Sequence, residues 1–272
     1  MPTCAVDDVR LYYEEEGEGE PVLLIHGLGS STRDWFEQVP FLAKNYRVVR
    51  LDLRGHGRSE KPPGPYSIAQ FARDAAVLLR TLDAAPAHVV GLSMGGMVAL
   101  EMAAHPGADD LVASLVVINS TTDVRITSWA DAWFYLTRRL AVQVLGMRRV
   151  GELIARRLFV KPEQEHLRTE FVRRWAENDR AAYLASVDAI VGWSVDDRLH
   201  RIDIPTLLVS SDHDYTPVAS KNRAAARMPN AHLAVVEDAR HALPVERPDR
   251  LNPLLGTFLA EQKPRRSGPL AR

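Results

Sequence analysis

Gly91-Leu92-Ser93-Met94-Gly95 sets a serine between two glycines. It comes directly after the strand-forming run His88-Val89-Val90 and just before a helix-forming stretch, Met97-Val98-Ala99-Leu100-Glu101-Met102-Ala103-Ala104. Between a strand and a helix, this G-x-S-x-G spacing reads as a nucleophile elbow. The turn is too tight for side chains at the flanking positions, and glycine removes the Cβ that would clash there. The serine hydroxyl is then held at the C-terminal end of a strand. It lies above a helix N-terminus whose partial positive charge favours developing anions.

Outward from the elbow, strand-like and helical runs alternate. Val9–Glu15 alternates in strand fashion, and Val22-Leu23-Leu24-Ile25 is a short apolar run suited to a strand buried on both faces. Residues 34–44 read as helical, with Trp35, Val39 and Leu42 at helical spacing, and Tyr46–Leu51 as a strand. Ser67 is placed to cap a helix running to Leu82. A further buried strand is expected at Leu115–Ile118, others at Pro205–Ser210 and Leu233–Val236, and a last helix over Arg247–Glu261. This rhythm predicts an α/β fold with a mainly parallel central sheet and helices on both faces. It breaks between residues 121 and 199, where the pattern is helical throughout and Trp129, Trp133, Leu136, Leu140 and Val144 form one stripe. The expected organisation is a core of residues 1–120 and 200–262, an inserted helical cap of residues 121–199, and a disordered tail over residues 263–272, whose composition is Lys, Pro, Arg, Ser and Gly-rich.

The 272 residues, with a net charge of −1, argue against nucleic acid or an anionic membrane surface as the main partner. No apolar run approaches the roughly 20 residues that span a bilayer. The first residues lack the basic and apolar regions of a signal peptide, so the expected location is the cytoplasm. Cys4 is the only cysteine, which excludes an internal disulfide and a cysteine-based metal site. Its place near a terminus expected to be flexible makes it a poor catalytic candidate.

A serine hydroxyl becomes a useful nucleophile when a base takes its proton and an acid orients that base. Downstream of Ser93, His241 falls in the loop between the strand ending near Glu237 and the last helix. That is the C-terminal edge of the sheet, where open α/β folds bind ligands. His105, His166, His200 and His232 occupy helix-end, cap or opposite-edge positions. The acid is sought at the end of the preceding strand, in Asp212-His213-Asp214-Tyr215-Thr216-Pro217. Asp214 is favoured because it lies nearer the proline that opens the next helix. Asp212 is then a turn-forming residue, and Asp123 is a remote third candidate. An oxyanion needs backbone donors. Met94 N–H follows the nucleophile, and His26-Gly27-Leu28-Gly29-Ser30 after the Val22–Ile25 strand offers Leu28 N–H. His26 reads as a loop-bracing partner. Asp52-Leu53-Arg54-Gly55-His56-Gly57-Arg58-Ser59 reads as a structural turn pinned by an Asp52–Arg54 or neighbouring ion pair, since its spacing matches no phosphate-binding loop.

Taken together, His26 to Gly29, Asp52 to Ser59, Gly91 to Gly96, Asp214 to Pro217 and His241 resemble the α/β-hydrolase family in order and spacing, over roughly residues 6–262. The resemblance implies Ser93 as nucleophile, His241 as base, Asp214 as its orienter, and Leu28 and Met94 as oxyanion donors. Ser93-Met94-Gly95-Gly96-Met97 is most similar to the enol-lactonase, small esterase and C–C-bond hydrolase branches. A serine here argues against the branches that attack through an aspartate. Asp214 departs from the family pattern by standing three residues before Pro217, where four are common, and its strand end lacks the usual glycine.

The expected activity is cleavage of a carboxylic ester or lactone through an acyl-enzyme on Ser93, with no metal or organic cofactor. The alternatives are a C–C-bond hydrolase, a cofactor-free perhydrolase, or a hydrolase-fold ligand receptor. Four of the five tryptophans, Trp129, Trp133, Trp175 and Trp193, lie in the cap. Trp129 and Trp133 are the expected substrate-binding residues, lining a pocket for a small molecule with a largely apolar acyl part. The paired arginines Arg138-Arg139, Arg148-Arg149, Arg156-Arg157 and Arg173-Arg174 read as solvated faces. A bidentate grip on a substrate carboxylate is the other reading of such a pair.

Overall fold

The computed structural model of the chain describes residues 2–262, so the predicted tail lies outside the described residues. Its eight-stranded sheet has the order β1-β2-β4-β3-β5-β6-β7-β8. The strands are β1 (Thr3–Val6), β2 (Val9–Glu16), β3 (Glu20–Ile25), β4 (Tyr46–Leu51), β5 (Ala87–Leu92), β6 (Val112–Ile118), β7 (Thr206–Ser211) and β8 (Ala231–Val236). β1 and β2 pair antiparallel, as do β2 and β4, and every pair from β4 through β8 is parallel. The helices are α1 (Val39–Leu42), α2 (Ile68–Thr81), α3 (Met94–Ala103), α4 (Trp129–Leu158), α5 (Glu165–Ala176), α6 (Arg180–Ile190), α7 (Val218–Ala225), α8 (Leu243–Glu246) and α9 (Pro248–Glu261). None is long and apolar enough to cross a membrane.

The parallel strands are apolar on both faces because each face is covered. Leu23, Ile25, Val89, Leu115 and Val117 pack on one side with Phe71 and Leu78 of α2 and with Met97 and Val98 of α3. Val22, Leu24, Val90, Val116 and Ile118 face the other side, against Trp35 and against Leu251, Leu255 and Phe258 of α9. Ser67 caps α2 by accepting the Gln70 N–H at 3.1 Å.

Two local expectations are corrected. Residues 34–44 do not form one helix: a 3₁₀ turn over Thr32–Trp35 precedes the single turn of α1. Pro40 lacks the N–H that a helix running from Asp34 would need, and its ring would collide with a carbonyl of the preceding turn. Trp35, Val39 and Leu42 are buried nonetheless. Cys4 is not on a loose terminus. It is buried within β1, opposite Leu11 of β2.

The helices α4, α5 and α6 all fall between β6 and β7. Gly146, at φ 76° and ψ 171°, kinks α4. Before the kink, Val142 is buried, and Tyr135, Arg138 and Arg139 hold the same side of the helix through polar bonds to Tyr183 and Asp188 of α6. At 100° per residue, the stripe of Trp129, Trp133, Leu136, Leu140 and Val144 lies on the opposite face. Trp129 is 93% exposed and Trp133 67%. The two predicted substrate-binding tryptophans therefore stand on the outer surface, away from the sheet. The inward aromatic residues are Phe159, Trp175 and Tyr183.

Candidate active site

Ser93 joins β5 to α3 at φ 54° and ψ −116°, a conformation costly for a residue with a side chain. The surrounding backbone holds it there. Ser93 N–H donates to the Ile118 carbonyl at 2.9 Å, and the Ser120 hydroxyl donates to the Ser93 carbonyl at 2.7 Å. A Cβ on Gly91 would lie 2.2 Å from the Gly95 carbonyl oxygen, and one on Gly95 would lie 2.2 Å from the Ile25 carbonyl oxygen. Both glycines are thus required by close backbone approach. Met94 N–H opens α3, among the first four donors that have no partner in the helical ladder. The loop after β3 reaches the same point: a Cβ on Gly27 would stand 3.4 Å from that of Ser93. Leu28 follows in that loop and packs beside Trp175 and Tyr183.

The ends of β7 and β8 bring Asp214 and His241 together. His241 Nδ1–H donates to Asp214 Oδ1 at 2.7 Å, and the Asp214 carboxylate has no solvent exposure. Its other oxygen accepts from Lys221 Nζ at 2.6 Å and from the Thr216 hydroxyl. Burial acts to raise the Asp214 carboxyl, but its bonds to His241, Lys221 and Thr216 outweigh it and hold the group below the usual carboxylate range. Asp212 is turned away, accepting the N–H groups of Asp238 at 2.9 Å and Ala239 at 3.1 Å. Asp123 pairs with Arg125.

Several members of this constellation carried no sequence signal. Asn119, just past β6, donates to the carbonyls of Arg240 at 3.0 Å and His241 at 3.1 Å and accepts the Ser211 N–H at 2.8 Å. It fixes the histidine loop to the sheet. Lys221 reaches Asp214 from the first turn of α7, the helix that Pro217 opens. Tyr215 stacks on His241 with ring centroids 3.9 Å apart, and its hydroxyl donates to His241 Nε2. Nε2 therefore meets the phenol of Tyr215.

The loop after β4 is a structural turn, but its pins differ from the expected Asp52–Arg54 pair. Asp52 accepts the N–H groups of Thr32 at 2.6 Å and Arg58 at 2.7 Å. Arg54 instead makes a buried bidentate pair with Asp74 of α2, at 2.6 and 2.7 Å. His26 braces this turn. Its Nδ1–H donates to the Gly27 carbonyl and its Nε2 accepts the Leu53 N–H at 3.0 Å, while burial pushes its pKa down to about 4. Beyond the loop after β3, a cavity of about 360 Å³ is lined by Gly29, Ser31, Arg33, Arg58, Arg174 and Glu177, among others. Its cations are held by carboxylates: Arg33 by Glu177, Arg58 by Glu14 and Arg174 by Glu170. Ser93, Asp214 and His241 do not line it. Among the described residues, no group of three or more His, Cys, Asp or Glu side chains is placed to hold a metal ion.

Known proteins share this arrangement of the chain. A protein from Azorhizobium caulinodans named as a carbamate hydrolase, RutD, is 30% identical over 96% of this chain and 99% of its own. The 3-oxoadipate enol-lactonase 2 of Acinetobacter baylyi is 28% identical over 92% of this chain and 93% of its own. The crystal structure of the enol-lactonase from Burkholderia xenovorans matches with a TM-score of 0.87 at 29% identity, covering 96% of this chain and 100% of that one. The family model described as the alpha/beta hydrolase fold matches residues 20–248, and the chain belongs to that family.

Proposed function

We propose that the protein is a serine hydrolase that cleaves a carboxylic ester or lactone of a small molecule through an acyl-enzyme on Ser93. The observation that carries this reading is Ser93 held at φ 54° at the end of β5, with a His241–Asp214 pair bonded at 2.7 Å past the ends of β7 and β8, at the same edge of the parallel sheet. Names of relatives such as 3-oxoadipate enol-lactonase support the bond type. In the proposed reaction His241 Nε2 takes the Ser93 proton as the oxygen attacks the carbonyl carbon. Asp214 keeps Nδ1 protonated and stabilises the imidazolium that forms. The N–H groups of Leu28 and Met94 receive the oxyanion, aided by the N-terminus of α3. His241 then protonates the leaving oxygen, and a water activated by the same nitrogen releases the acid. Residues 121–199 act as a cap over a core formed by residues 1–120 and 200–262, in the cytoplasm.

Carbamate cleavage is a second reading, favoured by the name of the RutD relative. It uses the same machinery with nitrogen or oxygen as the leaving atom. A fluorophosphonate probe, followed by nitrophenyl esters and a carbamate, tests both. Labelling and ester turnover are expected in the wild type and lost in Ser93→Ala. Ester turnover that persists in Ser93→Ala contradicts the mechanism.

A further inference from the structure

The half-buried arginines between residues 121 and 199 are Arg138, Arg139, Arg168, Arg174 and Arg198. Four of them meet carboxylates: Arg139 at Asp188, Arg168 at Glu165, Arg174 at Glu170 and Arg198 at Glu101. Arg138 has no carboxylate partner among the described residues. Its Nε and Nη2 both donate to one neutral oxygen, the Tyr183 hydroxyl, at 3.0 and 2.6 Å. A phenol supplies a hydrogen bond but no countercharge, so a partly desolvated cation is left uncompensated. A merely solvated arginine would sit as Arg148, Arg156 and Arg157 do, on the exposed surface.

Its position gives the charge a use. Tyr183, which it grips, lies over the oxyanion loop, its ring 3.1 Å from where a Cβ on Gly29 would stand and in one cluster with Leu28. Through Tyr183 the guanidinium thus stands next to the oxyanion loop.

We propose that Arg138 is the anchor for a carboxylate on the substrate, so that the ester or lactone cleaved at Ser93 is anionic, with its free carboxylate a few bonds from the scissile carbonyl. The planar fork of the guanidinium suits a bidentate carboxylate, which would take the donors now shared by the Tyr183 hydroxyl. This amends the expectation of a largely apolar acyl part: the walls supplied by Trp175 and Tyr183 are aromatic, and one end of the site is cationic. The proposal rests on the hydrolase reading of Ser93, and the two fail in different ways.

The test compares a nitrophenyl monoester of glutarate with the neutral nitrophenyl valerate, in the wild type and in Arg138→Gln and Arg138→Lys. The wild type is expected to prefer the anionic ester. Arg138→Gln should lower kcat/KM for that ester by roughly 10- to 100-fold, mainly through KM, in line with a charge-assisted hydrogen bond. Neutral-ester turnover and fluorophosphonate labelling of Ser93 should stay within about threefold of wild type. Arg138→Lys, which keeps the charge and loses the fork, should fall between. Glutarate binding by calorimetry, present in the wild type and lost in Arg138→Gln, reads the anchor without turnover. Equal losses on both esters, or labelled enzyme with no anionic preference and no glutarate binding, overturn the anchor. Failure of the probe to label Ser93 overturns the hydrolase reading instead.

Discussion

With Nδ1–H donating to Asp214 at 2.7 Å, the imidazole of His241 has a single acceptor, Nε2, and the Tyr215 hydroxyl takes it in this structure. In the proposed mechanism, proton transfer from Ser93 needs that same lone pair, so the phenol would have to turn aside before attack. Tyr215 is 68% exposed, and a swing toward solvent sacrifices little burial. The main cost is one hydrogen bond, worth about 0.5–1.5 kcal/mol. Tyr215→Phe is therefore expected to speed fluorophosphonate labelling of Ser93 by roughly 2- to 10-fold. A tenfold loss would instead make the hydroxyl a participant in proton transfer. Ser93 and His241 stood out in the sequence because each is marked by its setting, one by glycines and the other by a strand-to-helix loop. Asp212 and Asp214 share one short loop, and the direction of each side chain is a backbone matter that spacing does not encode. Asp212 is claimed by two N–H groups at residues 238 and 239, far away in the chain. Lys221 was illegible for a related reason, since a lysine on an ordinary-looking helix gives no sign that it will be buried against a carboxylate.

At the scale of elements, the parallel strands were readable because burial on both faces demands continuous apolar runs such as Val22–Ile25. β1 carries little sequence signal because it has only four residues, which alternate between exposed and buried. α4 shows where periodicity stops. The stripe from Trp129 to Val144 has true helical spacing, but a period identifies a face without saying which way it points. The direction is set by Tyr135, Arg138 and Arg139, whose polar bonds to α6 turn the less apolar face inward. An expectation based on hydrophobicity alone was bound to invert this helix. The same inversion turns Arg138 toward Tyr183 of α6 and leaves Trp129 and Trp133 exposed.

Across the whole molecule, the loops after β3 and β4 form one buried unit whose histidines stay neutral. His56 donates Nδ1–H to the Arg54 carbonyl at 3.1 Å, and its Nε2 is buried with no hydrogen-bond partner among the described residues. Burial, then the neighbouring His26, pushes its pKa from the ordinary 6.5 down to about 3. Between those values the unfolded chain binds a proton that the folded one does not, so this contribution is full above pH 6.5 and declines as pH falls. His26 acts in the same sense, whereas Asp34 and Asp74, raised by burial, act in the opposite one. A comparison isolates the term: the stability gap between wild type and His56→Asn, measured by urea unfolding, should narrow from pH 7 toward pH 4. A gap that stays constant or widens contradicts it. The proposed chemistry is likewise a property of the assembled molecule, since Ser93, Asp214 and His241 come from three strand ends. The most direct measurement is the rate of acylation at Ser93 by a nitrophenyl ester, followed by stopped flow in wild type, Asp214→Asn and Asp212→Asn. Asp214→Asn is predicted to slow acylation by about 10³–10⁴-fold, and Asp212→Asn by less than about tenfold. Acylation at near wild-type rate in Asp214→Asn, or the larger loss in Asp212→Asn, would contradict the assembly of these three residues as one catalytic unit.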